Sequence, residues 1–204
     1  EQDASGYGYS ISSNAEQELT SAIAYVTEDS VVEAGILTGH SEEGCEEFLN
    51  YLNENNYSVT TVNIAAESID DSMQTVFLLA PTTDYSAEEL AKLDQFLDNH
   101  GNFGKTLIYL AAHDQPELPN LEAFLEEWGI RIGNGLIVEK DTKNIYDGQG
   151  FMFGAAFTEE AKTWLANVKN PSLPFVGYYC RPVTSLWEEK NNRTAKTLIV
   201  SPDT

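Results

Sequence analysis

Hydrophobic and polar positions along the chain follow two patterns that alternate, one typical of strands and one typical of helices. Short apolar runs of the kind that form buried strands stand between segments with apolar residues every three to four positions, the spacing of an amphipathic helix. The predicted strands are Glu33–Leu37, Tyr57–Ile64, Thr75–Ala80 and Thr106–Ala111. The predicted helices are Glu43–Asn55, Ser86–Asn99 and Leu121–Trp128, with a shorter one at Ala15–Thr27.

This alternation predicts an α/β fold, a three-layer and mostly parallel open sheet of the flavodoxin-like type. The apolar run Thr75–Ala80 is typical of a strand covered on both faces, and Thr106–Ala111 is predicted to be buried as well. Ser86 and Glu89 have the spacing of a capping box, so the third strand is followed by a well-defined helix start.

Gly133-Asn134-Gly135 predicts a turn between two short strand segments within Ile130–Glu139. After Glu139 the pattern of apolar positions is less regular. Thr158 can cap a helix that runs to about Asn167. Two late runs are predicted to form strands at the edge of the same sheet, namely Phe175–Arg181 and Thr197–Val200.

The domain organisation follows from this pattern. We expect a lead-in and short helix over residues 1–32 and a single α/β domain over residues 33–204. Within that domain, residues 33–139 form the regular core and residues 140–204 the less regular part.

The charge balance narrows the classes of partner. The chain has 33 acidic and 11 basic residues, a formal net charge of −22, and no Lys or Arg before Lys92. Such a surface repels phosphate backbones and anionic lipid headgroups, so we expect neither nucleic-acid binding nor electrostatic docking on a membrane. The two cysteines, Cys45 and Cys180, fit no zinc motif and are interpreted as buried free thiols, with a disulfide between them as the alternative.

The residues that could bind a ligand or take part in a reaction lie where the predicted strands end. In open α/β sheets, ligands bind at the carboxyl ends of the strands. The hypothetical ligand or partner edge consists of Gly39, His40, Ser41 and Glu42 after the first strand, Thr83 and Asp84 after the third, and His113 and Asp114 after the fourth. The same residue types also suit turn and cap positions without any ligand, as Asp84 and Ser86 illustrate.

The spacing of these residues does not favour an enzyme. An acyl-transfer hydrolase needs a serine or cysteine on a strained strand-to-helix turn with a histidine in reach. Cys45 lies inside the first predicted helix, and Ser41 is adjacent to His40 in sequence, which rarely lets two side chains meet. The chain has no metal-ligand spacing, phosphate-binding loop or dinucleotide fingerprint. We predict no catalytic residue, metal or cofactor, with a hydrolase using His40, Ser41 and nearby acids as the alternative.

Aromatic residues outside the regular segments offer another alternative. They are Tyr7, Tyr9, Tyr146, Phe151, Phe153, Tyr178, Tyr179 and Trp187. Because exposed aromatic rings bind sugars by stacking, a carbohydrate-binding module is the second alternative function. A small molecule or a glycan is therefore the candidate ligand.

Several of these motifs together resemble one family. They are Leu37-Thr38-Gly39-His40-Ser41-Glu42, Leu79-Ala80-Pro81-Thr82-Thr83-Asp84-Tyr85-Ser86, Leu118-Pro119-Asn120-Leu121, Trp128-Gly129-Ile130 and Gly135-Leu136-Ile137-Val138. Over Glu18–Glu139 the chain resembles the extracytoplasmic domain of the gliding-motility-type ABC transport auxiliary proteins of bacteria. That family has Gly-His-Gly-Glu at the first turn, where this chain has Ser41 in the third position. Serine adopts left-handed backbone angles less easily than glycine, so we expect this turn to differ locally.

The resemblance carries its own expectations. It implies a domain similar to the class I glutamine-amidotransferase fold and related to a domain of eukaryotic intraflagellar transport proteins. It implies a non-catalytic, extracytoplasmic auxiliary or binding role, with the membrane and ATPase subunits of an ABC transporter as partners. It also implies association with the cell membrane through an anchor outside this sequence.

Overall fold

A computed structural model describes residues 19, 23, 32–42, 45–164 and 175–202. The predicted helix at Ala15–Thr27 lies outside these residues apart from Leu19 and Ile23, and so does the predicted lead-in. The chain divides into two compact units: unit 1 comprises Glu1–Leu78 and Lys92–Ile108, and unit 2 comprises Leu79–Ala91 and Tyr109–Thr204.

The predicted α/β sheet is confirmed. Its strands are β1 (Val32–Thr38), β2 (Tyr57–Asn63), β3 (Thr75–Leu79) and β4 (Thr106–Leu110), in the order β2-β1-β3-β4. β1 pairs in parallel with both β2 and β3. Beside β3, the N–H of Thr106 donates to the carbonyl of Gln74 and the N–H of Ala80 donates to that of Leu110. The parallel strands bring their carboxyl ends to one edge of the sheet.

The helices follow the predicted positions closely. They are α1 (Cys45–Glu54), α2 (Ala87–Asp98), α3 (Pro119–Glu127) and α4 (Glu159–Trp164). The capping box at the start of α2 is present, because the Ser86 N–H donates to Glu89 Oε2 at 2.7 Å and the Glu89 N–H donates to Ser86 Oγ at 3.3 Å. At the start of α4, Thr158 Oγ1 accepts from the Ala161 N–H. The prediction extends this helix to about Asn167, and the residues after Trp164 lie outside the described range.

The centre of unit 1 is formed by the apolar strands of the sheet. Ala34, Ile36 and Leu37 of β1 are buried, as are Val76 and Phe77 of β3. Fully burying one such aliphatic or aromatic side chain contributes about 1.5–3 kcal/mol. This burial fixes β1, and with it the position of the turn that follows.

The prediction that β4 is a buried strand is wrong. Its residues alternate between exposed and half-buried, and Leu110 is 50% exposed. An apolar run does not reveal how many neighbours a strand has, and β4 lies at the end of the strand order. Strands at a sheet edge have a neighbour on one side only.

Two lysines fasten the connection between β2 and β3 within unit 1. Lys92 Nζ donates to the carbonyl oxygens of Ile64 and Glu67, at 2.6 and 3.0 Å. Lys105 Nζ donates to those of Asp71 and Met73, at 2.7 and 2.6 Å. Both ammonium groups therefore hold backbone carbonyls of a connection that has no strand or helix of its own.

The C-terminal part departs from the prediction of one sheet. β5 (Ile130–Ile132) pairs antiparallel with β8 (Val183–Ser185), so Gly133-Asn134-Gly135 does not close the predicted hairpin. Ile137 and Glu139 instead donate to the carbonyls of Cys180 and Gly150. The turn residues were recognisable, but the partner strand lies about fifty residues away, beyond the reach of a local pattern.

The late strands form antiparallel sheets apart from the parallel one. β6 (Met152–Phe157), which was not predicted, pairs with β7 (Phe175–Tyr178) and β11 (Ile199–Val200) in the order β11-β6-β7. β9 (Glu189–Lys190) and β10 (Arg193–Thr194) form a two-stranded antiparallel sheet. The placement of Phe175–Arg181 and Thr197–Val200 at the edge of the parallel sheet is therefore wrong. Within the described ranges, no helix has the length and apolarity needed to cross a membrane.

Candidate functional site

The turn after β1 is shaped by Gly39. This residue has φ +122°, and a Cβ added there would lie 2.9 Å from Asn63 Oδ1. Asn63 Oδ1 accepts from the Ala65 N–H, and the Ile64 N–H donates to the carbonyl of Thr38. The ends of β1 and β2 are thus packed closely enough that only glycine fits both the backbone angle and the space.

Ser41 takes a left-handed conformation itself. Its φ is +58°, and its side chain is exposed. Left-handed angles cost an L-residue about 1–2 kcal/mol, which explains why glycine is the easier residue here. Ser41 therefore carries local strain at the one position where the turn departs from the Gly-His-Gly-Glu pattern.

The Glu42 carboxylate folds back into the turn. Its Oε2 accepts from the Gly39 N–H at 3.1 Å, and its two oxygens accept from the His40 N–H at 3.0 and 3.1 Å. The side chains of Glu42 and His40 are 3% and 5% exposed, and His40 Nδ1 lies 3.8 Å from Glu42 Oε1. An anion bound at these N–H groups would have to displace a buried carboxylate that already neutralises them.

Asp84 performs a capping role in unit 2. Its Oδ2 accepts from the Asn120 N–H at 2.9 Å, and its Oδ1 accepts from the N–H groups of Tyr85 and Leu121 at 2.9 and 3.1 Å. Asn120 and Leu121 belong to the first turn of α3, whose own N-cap, Leu118, makes no side-chain hydrogen bond. The first-turn N–H groups are satisfied by a carboxylate from a distant segment, which also suits the helix dipole. The neighbouring Thr83 is exposed.

His113 and Asp114 lie in the turn after β4, which a glutamine holds in place. Gln115 Oε1 accepts from the Ala112 N–H at 3.3 Å, and Gln115 Nε2 donates to the Tyr109 hydroxyl at 2.6 Å. Burial raises the pKa of Tyr109, while the bond from Gln115 acts in the opposite direction. His113 and Asp114 are 48% and 75% exposed, and His113 Nδ1 lies 3.6 Å from Asp114 Oδ1.

His113 borders an aromatic groove in unit 2. The groove has a volume of about 430 Å³ and is lined by Ala111, Ala112, His113, Tyr178 and Tyr179. The Tyr179 ring lies 5.2 Å from the His113 ring, 5.1 Å from the nearly parallel Phe151 ring, and 4.7 Å from the perpendicular Tyr178 ring. We call the set His113, Phe151, Tyr178 and Tyr179 the aromatic corner.

The predicted edge residues have different contacts within their own units. Gly39, His40, Ser41 and Glu42 form one turn in unit 1. In unit 2, Asp84 is engaged at the start of α3, whereas His113 belongs to the aromatic corner. His113 was predicted to lie on the ligand or partner edge, and the tyrosines were predicted to be exposed aromatic residues. The consecutive pair Tyr178-Tyr179 was the sequence signal for a local aromatic cluster.

The described residues offer little for a metal. Among them, no group of three or more His, Cys, Asp or Glu side chains is arranged to hold a metal ion. Cys180 is a free thiol, but it is half-buried rather than buried as predicted, and the Cys45 side chain lies outside the described part of the structure.

Comparisons with known proteins give the context of the chain. Residues 32–150 match the family described as an ABC-type uncharacterized transport system. No curated protein matches the sequence. The solved structure of the mmIFT52 N-terminal domain is similar, with a TM-score of 0.56 and 15% sequence identity over 75% of this chain and 68% of that chain. At this identity, the likeness concerns the fold alone. Because the family match extends over more than half of its residues, the chain belongs to this family of ABC-type transport system proteins.

Proposed function

We propose that the chain is a non-catalytic auxiliary domain of an ABC-type transport system, located outside the cytoplasm. Family membership supports the transport context. The motifs around Gly39–Glu42 and Leu79–Ser86 support the finer assignment to the gliding-motility type, with an architecture like that of class I glutamine amidotransferases. The resemblance also supports association with the cell membrane.

The observation that carries the non-catalytic part of the proposal is the position of Glu42. In an acyl-transfer enzyme, N–H groups beside the nucleophile must face the oxygen on which negative charge develops. The N–H groups of Gly39 and His40 instead face the Glu42 carboxylate, at 3.0–3.1 Å. A carboxylate in that position repels a developing oxyanion, so the turn is better suited to holding the ends of β1 and β2 than to hydrolysis.

The partner edge is tested by copurification in the native host. We expect the tagged chain to copurify with ABC permease and ATPase subunits of the host. Thr83 and Thr142 are both exposed in unit 2 and provide a matched pair. Thr83→Arg should reduce the copurified subunits, whereas Thr142→Arg should not. If neither subunit copurifies with the wild-type chain, even after crosslinking, the transport role is overturned.

The alternative hydrolase is tested on the purified chain. Ester and amide probes should give no turnover that depends on His40 or Ser41. Turnover that disappears in both Ser41→Ala and His40→Gln, with the fold retained by circular dichroism, would replace the proposal by the hydrolase.

The location is tested separately. The epitope-tagged chain is expressed in cells whose outer membrane has been made permeable while the inner membrane stays intact. Added protease should then digest the tagged chain and leave a cytoplasmic marker protein undigested. Protection of the tag until the inner membrane is broken would place the domain in the cytoplasm and contradict this part of the proposal.

A further inference from the structure

We propose that the aromatic corner binds a small organic cation of the quaternary ammonium class. The proposal rests on the auxiliary role proposed above and deepens it, because it names a ligand class for the groove beside His113. Rings, charge and backbone conformation each bear on it.

The rings form a corner rather than a plane. Tyr178 and Tyr179 are nearly perpendicular, with an interplanar angle of 85° and centroids 4.7 Å apart. Ala111 and Ala112 line the same groove with methyl side chains, so a bulky head group is not blocked there. An exposed aromatic ring attracts a cation through the quadrupole of its face, and quaternary ammonium groups are recognised by aromatic side chains. Tyr178, 65% exposed, offers such a ring at the groove.

The electrostatics favour a positive ligand. The five lining residues, all within the described part of the chain, include no lysine or arginine. Asp114, 75% exposed, adds a carboxylate beside His113. The formal net charge of −22 adds a long-range field that attracts cations and repels anions.

Tyr179 is held in a fixed and strained position. Its φ is +48°, a left-handed angle that bulky residues rarely adopt. Its N–H donates to the Phe151 carbonyl at 2.9 Å, and its ring stacks on Phe151 with an interplanar angle of 6°. Strained residues of this kind gather at ligand sites, where the fixed position spares the cost of ordering the ring on binding.

The same geometry disfavours a sugar. Stacking of a pyranose needs a broad, open ring face, and Phe151 lies parallel against one face of Tyr179. Tyr178, 65% exposed, stands across it at nearly a right angle. A trimethylammonium group needs a smaller area of open ring face than a pyranose does, so the partly covered rings disfavour the sugar more.

The test is a calorimetric or NMR titration of the purified chain with choline and with 3,3-dimethyl-1-butanol, its uncharged analogue of the same shape. We expect saturable binding of choline and much weaker binding of the alcohol. Tyr178→Ala should weaken choline binding by about 2- to 30-fold, the range of one cation–π contact. Tyr178→Phe keeps the ring and should bind nearly as well as the wild type.

The matched control is Tyr51→Ala. Tyr51 is exposed to a similar extent, 60% against 65%, but lies on α1 in unit 1. This variant should bind choline like the wild type, and circular dichroism should show that all three variants are folded.

Three results would overturn the proposal. The first is equal affinity for choline and its uncharged analogue, and the second is no saturable choline binding in the millimolar range. The third is binding of cellohexaose or chitohexaose that is lost in Tyr178→Ala while choline shows no such dependence, which would assign the corner to saccharides. These titrations use the isolated chain, so their failure is distinguishable from a failed copurification with the transporter subunits.

Discussion

Removal of the Glu42 carboxylate should measurably weaken the fold. In Glu42→Ala, the N–H groups of Gly39 and His40 lose a charged acceptor in a turn where His40 is only 4% exposed. A hydrogen bond to a charged group contributes about 1.5–3 kcal/mol, and a buried donor left without a partner costs about 1–3 kcal/mol. Since water can reach the edge of the turn, we expect a loss of about 2–4 kcal/mol in the free energy of unfolding.

The measurement is guanidinium unfolding followed by circular dichroism at neutral pH. Glu42→Gln keeps one carbonyl oxygen as an acceptor and should lose about half as much as Glu42→Ala. The control is Glu46→Ala, because Glu46 is exposed in the first turn of α1 and contributes mainly to the helix dipole, about 0.3–1 kcal/mol. A change in midpoint without a change in slope identifies a change in stability.

Equal midpoints for Glu42→Ala and Glu46→Ala would refute the reasoning. The carboxylate would then not be holding the turn, and the N–H groups of Gly39 and His40 would be open to a ligand or an oxyanion. The non-catalytic proposal would lose the observation that carries it.

Three further substitutions test other parts of the structure. Ser41→Gly should raise the free energy of unfolding by about 0.5–1 kcal/mol, because relief of the left-handed strain at φ +58° exceeds the added entropy of glycine in the unfolded chain; a lower denaturation midpoint would contradict this. Gly129→Ala should cost about 1–3 kcal/mol more than Gly135→Ala in the same assay, since φ is +87° and +93° but only at Gly129 would the new Cβ meet a ring, that of Trp187, at 2.7 Å; equal losses would show that the Trp187 ring moves aside freely. Partial desolvation raises the pKa of Asp147, but hydrogen bonds from four backbone N–H groups outweigh it and hold the pKa below its ordinary value. The resulting stability is present above the pKa of Asp147 in the unfolded chain and is lost as the pH falls through its pKa in the folded chain. Asp147→Asn should therefore have a lower melting temperature at neutral pH, and its melting temperature should fall less steeply on acidification. Parallel curves of melting temperature against pH for the variant and the wild type would contradict this assignment.

The parallel half of the fold was readable from the sequence because its determinants are local. Val76–Leu79 is apolar without interruption, and Ser86 and Glu89 specify the start of α2 through groups only three residues apart. The glycine turn after β1 was likewise marked by Gly39. In each case the residues that decide the structure are close together in the chain.

Other features depend on partners that a local pattern does not reveal. Asp84 caps α3 across 36 residues, and β5 pairs with β8 across more than 50. The exposure of β4 depends on its place in the strand order, which its apolar sequence does not encode. Phe151 and Tyr179 stack although 28 residues separate them in the chain (179 − 151), so the sequence indicated the residues of the aromatic corner but not their arrangement.

The lysines on the connection between β2 and β3 give this segment a particular response to ionic strength. Added salt screens ion pairs between exposed side chains, such as that of Lys162 with Glu159. Lys92 and Lys105 donate instead to neutral carbonyl oxygens at short range, at 2.6–3.0 Å. We therefore expect the path of the connection to depend less on ionic strength than the ion pairs on the surface do. In a chain of net charge −22, this connection should then respond less to added salt than the acidic surface around it.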